Sequence, residues 1–194
     1  ERMTAFGAET PNPVFGAHVG HLVRRINLLK ARLSRENLAQ LTARPQPAYG
    51  AALLGRAEVI PEMQNKIVNE YLYAIAWEKD DNRLNTELTH LQTWLKHLLT
   101  QPGITLNWLA DWANADPELA AVTLQEFWGG AAGGEVVMVP PAFTQAGKVK
   151  IDAAIAEIEA ALFDPLIIAG GKTSFAAWYQ KSYFDAWRDF GRSF

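Results

Sequence analysis

The sequence has no cysteine. That excludes disulfides, thiolate nucleophiles and cysteine-ligated zinc, and it leaves the redox compartment open. Nor is there an excess of positive charge: 18 Lys and Arg against 21 Asp and Glu leave a net charge of −3. Such a balance offers no electrostatic footprint for a nucleic-acid backbone, so no nucleic-acid partner is expected. No apolar run approaches the ~18 residues that a membrane-spanning helix requires. No Gly-x-Ser-x-Gly elbow and no H-E-x-x-H motif occurs, so neither a serine hydrolase nor a zincin has its sequence signature here.

What the chain does have is apolar mass. Hydrophobic residues make up 49% of its 194 positions and seven of them are tryptophan. The length suits one domain or two small ones with a real core, and the tryptophans promise large buried anchors or a face that another protein covers. The chain starts at Glu1 without a signal segment and stops at Phe194 inside a helical pattern. It therefore reads as an excised fragment.

Periodicity supplies most of the organisation. Over residues 14–41, Val19, Leu22, Ile26, Leu29 and Leu33 step by three or four and form one apolar stripe, with Pro45 and Pro47 as the stop. The nearby cations Arg24, Arg25, Lys30, Arg32 and Arg35 read as a solvated helix face. A second helical region covers about 49–79, and Pro61 must kink or divide it. Leu84, Leu88, Leu91, Leu95 and Leu98 mark the clearest helix, with Asp80, Asp81 and Asn82 as capping acceptors before it. Shorter helices are expected near 106–113 and, from the start signal Asp116-Pro117-Glu118, over 117–127. Residues 129–134 form a Gly-rich loop, and 135–139 a short extended segment. A helix follows over about 150–163. The last begins near Thr173 and carries Phe175, Tyr179, Tyr183, Trp187, Phe190 and Phe194 at spacings of three or four.

The expected fold is all-α, an irregular multi-helix bundle of about six or seven helices with at most one short extended segment. Its divisions are an irregular lead-in over 1–13, a helical bundle over 14–128, the loop and extended segment over 129–139, and a C-terminal helical subdomain over 140–194.

Candidate chemistry is sparse. Gly170-Gly171-Lys172-Thr173 has the ending of a phosphate-binding loop, but Leu166 stands where that loop requires its first glycine. The stretch reads instead as a hinge and a Thr173 or Ser174 cap before the aromatic helix, with Lys172 solvated. His18 and His21 lie three apart and His90 and His97 seven apart, each pair on one helix face. A metal-binding protein or enzyme using these four is an alternative reading. No carboxylate accompanies them at ligand spacing, so no catalytic residue, metal ligand or cofactor is assigned. A soluble helical adaptor that takes a peptide in a groove is a further alternative. Trp178, Phe184 and Trp187 widen the apolar face of the last helix, which argues for burial on two sides.

One pattern is more specific. Val139-Pro140-Pro141-Ala142-Phe143-Thr144-Gln145-Ala146-Gly147 resembles the VP-x-x-[FY]-T-x-x-G segment of the IcmF family, the TssM inner-membrane subunits of bacterial type VI secretion. In that family a helix follows, then a short acidic turn, then an aromatic helix of the form Y-x-x-x-Y-x-x-x-W. The same order recurs here through Asp164-Pro165 to Trp178, Tyr179, Tyr183 and Trp187. The usual D-W-V-L-G turn is replaced by Asp164-Pro165-Leu166-Ile167-Ile168. The resemblance implies a large inner-membrane parent protein, with this segment a periplasmic, non-enzymatic structural module. Its partners would be other subunits of the secretion membrane complex and copies of itself. The residues that carry the resemblance are Val139, Pro140, Phe143, Thr144, Gly147, Trp178, Tyr179, Tyr183 and Trp187.

Overall fold

The computed structural model of the chain describes residues 10–49, 61–123 and 138–193. Among these residues the fold is an all-α bundle of seven helices with one two-stranded antiparallel pair. In chain order the helices are α1 (Asn12–Leu33), α2 (Leu38–Thr42), α3 (Pro61–Trp77), α4 (Asp81–Leu99) and α5 (Trp108–Asn114). Strands β1 (Val122–Thr123) and β2 (Met138–Val139) follow, then a 3-10 turn at Pro141–Phe143 and α6 (Gln145–Ala161). A second 3-10 turn at Pro165–Ile168 leads into α7 (Ala169–Gly191).

Helix α1 is the centre of the bundle. Its stripe is buried as far as Leu29, with Leu33 half-buried, and Phe15, Val23, Leu28 and Ala31 are buried too, because α4, α5 and α6 all pack against it. A helix enclosed on several sides needs apolar residues beyond one seam. Where α5 crosses, Gly16 lets the backbones approach: a methyl group there would lie 2.7 Å from the Trp112 ring.

The helical pattern of 14–41 is in fact broken. The chain leaves α1 through Arg35, whose φ of 70° is in the left-handed region, and the Glu36 amide closes the end on the Ala31 carbonyl at 3.1 Å. A capping box then starts α2, with the Asn37 side chain accepting from the Gln40 amide and the Gln40 side chain from the Asn37 amide. Pro61 is the first residue of α3, a position its missing amide allows; the part of the expected helical region over 50–60 lies outside the described residues. Asp80 caps α4 through the Asn82 amide, and Leu84, Leu91, Leu95 and Leu98 face the core.

Two further boundaries differ from expectation. The start signal at Asp116 makes one turn, with its carboxylate accepting from the Glu118 amide at 2.9 Å. The chain then extends as β1 instead of continuing as a helix. Pairing explains this: Val122 sits opposite Val139 and Thr123 opposite Met138, and Lys150 of α6 forms an ion pair with Asp116. Of the extended segment expected over 135–139, Met138 and Val139 form β2, while residues 135–137 and the loop at 129–134 lie outside the described residues. At the C-terminal end, α7 begins at Ala169, so Gly170 and Gly171 lie within the helix and not ahead of it. Asp164 caps the preceding 3-10 turn, accepting from the Leu166 amide at 2.9 Å, and that turn runs directly into α7, which has no side-chain cap of its own. Thr173 does not cap the helix; its hydroxyl donates back to the Ala169 carbonyl at 3.2 Å.

The basic residues of α1 are part-buried and bonded rather than a solvated face, and only Arg35, just beyond the helix, is exposed. Arg24 reaches Glu157 at 3.3 Å and the Gln46 carbonyl at 3.2 Å. Arg32 donates to the Ile75 and Glu78 carbonyls at 3.0 and 2.8 Å, Lys30 donates to the Ala160 carbonyl, and Arg35 pairs with Asp81. These side chains tie α1 to elements distant in sequence. Lys172 is likewise paired, with Glu159 of α6.

Candidate functional site

The residues singled out by the resemblance converge on one place. Val139 is fully buried in β2. Pro140 then redirects the chain into the 3-10 turn, its carbonyl accepting from the Phe143 amide at 2.9 Å. Thr144 caps α6: its hydroxyl accepts from the Gly147 amide at 3.1 Å and donates to the Pro141 carbonyl at 2.8 Å. Gly147 is required there, since a methyl group would lie 2.0 Å from the Pro141 carbonyl oxygen and 2.8 Å from Ala142 Cα.

Helix α7 closes over this turn. The Tyr179 hydroxyl donates to the Ala142 carbonyl at 2.6 Å in a buried bond, and Trp187 Nε1 donates to the Phe143 carbonyl at 2.9 Å. Spaced eight apart, the two donors lie on one face of α7 and grip successive carbonyls. The Phe143 ring lies 5.5 Å from Tyr179 and 6.4 Å from Trp178. Trp178 also packs 5.8 Å from Phe175, and Tyr183 lies 6.2 Å from Trp187. Burial pushes the Tyr179 hydroxyl up to about 12, so it remains a donor at ordinary pH. From the other side Asn114, at the end of α5, accepts from the Ala142 amide at 2.8 Å. Sequence reasoning missed Asn114, because a lone asparagine at a helix end carries no pattern beyond ordinary capping.

Between α6 and α7 the clasp leaves a groove of about 890 Å³. Ile155, Phe175, Ala176 and Tyr179 line it, together with Val149 and Phe184, both largely exposed. The Lys148–Asp152 and Lys172–Glu159 ion pairs lie along it. The broad aromatic face of α7 thus meets the clasp on one side, while Phe184 remains exposed on the other.

The histidines are distributed differently. His18 and His21 lie on α1, and His90 and His97 are exposed on α4; His90 packs its ring 4.7 Å from Trp94. Among the described residues no group of three or more His, Asp or Glu side chains forms a metal-holding cluster. His21 is buried, its Nδ1 lies 3.1 Å from the Ala48 carbonyl, and its ring meets Tyr49 edge-on at 4.9 Å. Burial, with a further contribution from the Arg25 cation, lowers its pKa to about 4. Arg25 pairs with Glu87 at 2.6 Å and lies 5.1 Å over the Tyr71 ring, whose hydroxyl donates to the same carboxylate at 3.2 Å. Desolvation also pushes Tyr49 up to about 12 and raises Tyr71. Each of these shifts preserves the uncharged form, so the cluster acts as a polar plug that joins α1, α3, α4 and the stretch around Ala48 and Tyr49.

No protein-family model, curated protein or solved structure matches this chain. Among the described residues no helix is long and apolar enough to cross a membrane.

Proposed function

We propose that this chain is a non-enzymatic structural module of an IcmF/TssM-type subunit. It would act on the periplasmic side of the inner membrane in assembling the envelope-spanning type VI secretion complex. One observation supports this reading above the others. The two halves of the signature, separated by more than thirty residues, meet through the bonds from Tyr179 and Trp187 to the Ala142 and Phe143 carbonyls. A signature whose parts serve one clasp behaves as a fold determinant, and a resemblance carried by it speaks to a shared architecture. Activity is not needed to explain any of the signature residues, because each polar atom named in the clasp is spent on backbone. The module's partners would be other subunits of the membrane complex and further copies of the parent protein.

The test is made in the native gene. Alkaline phosphatase, active only outside the cytoplasm, is fused directly after this segment, and the parent protein is purified from membranes. The reading expects phosphatase activity, membrane-spanning segments encoded upstream, and co-purification with an outer-membrane lipoprotein. A parent with no upstream span, or an inactive fusion in a stably produced protein, would refute it.

A further inference from the structure

Helix α3 has two apolar faces, and among the described residues only one of them packs against the core. Tyr71, Leu72 and Ile75 turn toward the core. Opposite them lie Met63, Lys66, Glu70, Tyr73 and Trp77, all exposed. Met63, Tyr73 and Trp77 retain 50%, 43% and 70% of their surface in solvent, which is unusual for three large side chains on one helix. At 100° per residue these five positions fall within an arc of about 80°. Tyr73 and Trp77 are stacked, their rings 5.0 Å apart at 29°.

The charges on this stripe are as informative as its apolar residues. Among the described residues Lys66 and Glu70 have no ion-pair partner, whereas the neighbouring Arg25, Glu78, Arg83 and Glu87 are all paired. Lys66 and Glu70 do not pair with each other either, and lysine preceding glutamate is the weaker orientation of an i,i+4 pair. Read along the helix the stripe runs apolar, positive, negative, apolar. Reversed, it runs apolar, negative, positive, apolar. The stripe is therefore complementary to its own antiparallel copy.

We infer that α3 docks on α3 of a second copy of this chain, antiparallel and about a twofold axis. Lys66 faces Glu70 of the second copy, Glu70 faces Lys66 of the second copy, and Met63 packs against Tyr73 of the second copy, in two symmetric sets. Contacts of this kind recur in twofold interfaces because each attractive pair is made twice. Sulfur against an aromatic ring adds to the apolar burial. A contact of about four helical turns is smaller than the ~800 Å² per partner of a standard stable interface, so the pairing is concentration-dependent. The inference rests on this stripe alone and stands or falls independently of the secretion reading.

Charge reversal tests it. The wild-type chain, Lys66→Glu, Glu70→Lys and the double swap are compared by sedimentation velocity over a range of concentrations, with circular dichroism to verify that each folds. The changes are on the surface and leave the fold intact. Wild type is expected to pass from monomer to dimer as concentration rises. Each single reversal places like charges opposite one another twice and weakens the dimer by about tenfold. The double swap recovers the wild-type affinity. So does an equimolar mixture of the two single variants, in which every pair is again of opposite sign. A monomeric wild type throughout the range overturns the inference. So do single variants that associate as well as wild type, or a weakening that neither the double swap nor the mixture repairs.

Discussion

Glycine-to-alanine substitution should have opposite signs at different helical positions of this chain. The normal effect is stabilising: alanine lowers the entropy of the unfolded chain and gains about 0.5–1 kcal/mol in a helix interior. Gly20 of α1 and Gly170 of α7 have nothing within 4 Å of where a methyl group would stand, so both should show that gain. Gly147, third residue of α6, is different. Its methyl group would lie 2.0 Å from the Pro141 carbonyl oxygen, where a carbon and an oxygen need at least ~3.3 Å. More than an ångström of movement must come from backbone. The oxygen to be displaced is also the acceptor for the Thr144 amide and hydroxyl.

Overpacking of this kind costs about 1–3 kcal/mol, and weakening the Thr144 cap adds up to about 1 kcal/mol. Against the helical gain, Gly147→Ala should be destabilised by a net ~1–3 kcal/mol, or roughly 3–10 °C in Tm at this chain length. Gly20→Ala should rise by about 1–4 °C on the same scale. Thermal melts read the totals. Hydrogen exchange locates the damage, with protection falling at the Phe143 and Thr144 amides before it falls in α1. A Gly147→Ala chain as stable as wild type would refute the clasp geometry. Equal losses at Gly147 and Gly20 would show that the effect is not steric.

Three other outcomes follow from named contacts. Tyr179→Phe leaves the buried Ala142 carbonyl without its donor and should cost about 1–3 kcal/mol. In a double-mutant cycle by urea denaturation it should be non-additive with Trp187→Phe, since both act on one turn. His21 is held neutral, with its pKa lowered from 6.5 to about 4. A base whose folded pKa lies below its unfolded one stabilises fully above about pH 6.5 and loses that contribution as pH falls toward 4, up to about 3 kcal/mol. Urea denaturation at pH 7 and pH 4 should show the loss in wild type and a shallower decline in His21→Gln, whose amide can still donate to Ala48. Arg35→Gly should be neutral to stabilising by up to about 1 kcal/mol in thermal melts, because relief of the left-handed backbone outweighs an exposed ion pair.

The long periodic helices were legible because their determinants are local. Leucine spacing and the Asp80 cap place α4 within a residue or two, and the apolar stripe places α1. The failures share a different cause. A capping box at Asn37 and Gln40 was present to be read, but apolar residues continuing at helical spacing through Leu38 and Leu41 masked the break. Gly170 and Gly171 read as a hinge by propensity, yet the 3-10 turn capped by Asp164 runs straight into the helix ahead of them, and a methyl group at Gly171 would meet Leu106 at 3.7 Å. The arginines of α1 were read as solvated because most of their partners are backbone carbonyls or carboxylates far along the chain, which no local pattern displays. Likewise β1 depends on its pairing with β2, a long-range contact that outweighs a strong helix-start signal. The clasp was half legible: its aromatic and Thr-Gly residues stood out, but the oxygens they hold or avoid belong to backbone.

The clasp and the α3 stripe respond differently to substitution. Tyr179, Trp187, Thr144 and Asn114 all direct their polar atoms at the 141–147 backbone, so a substitution there is felt first as a loss of fold. The α3 stripe and the exposed rim at Val149 and Phe184 touch none of those bonds. Substitutions on the α3 stripe therefore probe pairing between copies while the clasp remains intact. Reversal at Lys66 and Glu70 accordingly tests the proposed pairing of copies, since it leaves the bundle folded. Experiments on the signature remove the platform on which any partner must sit.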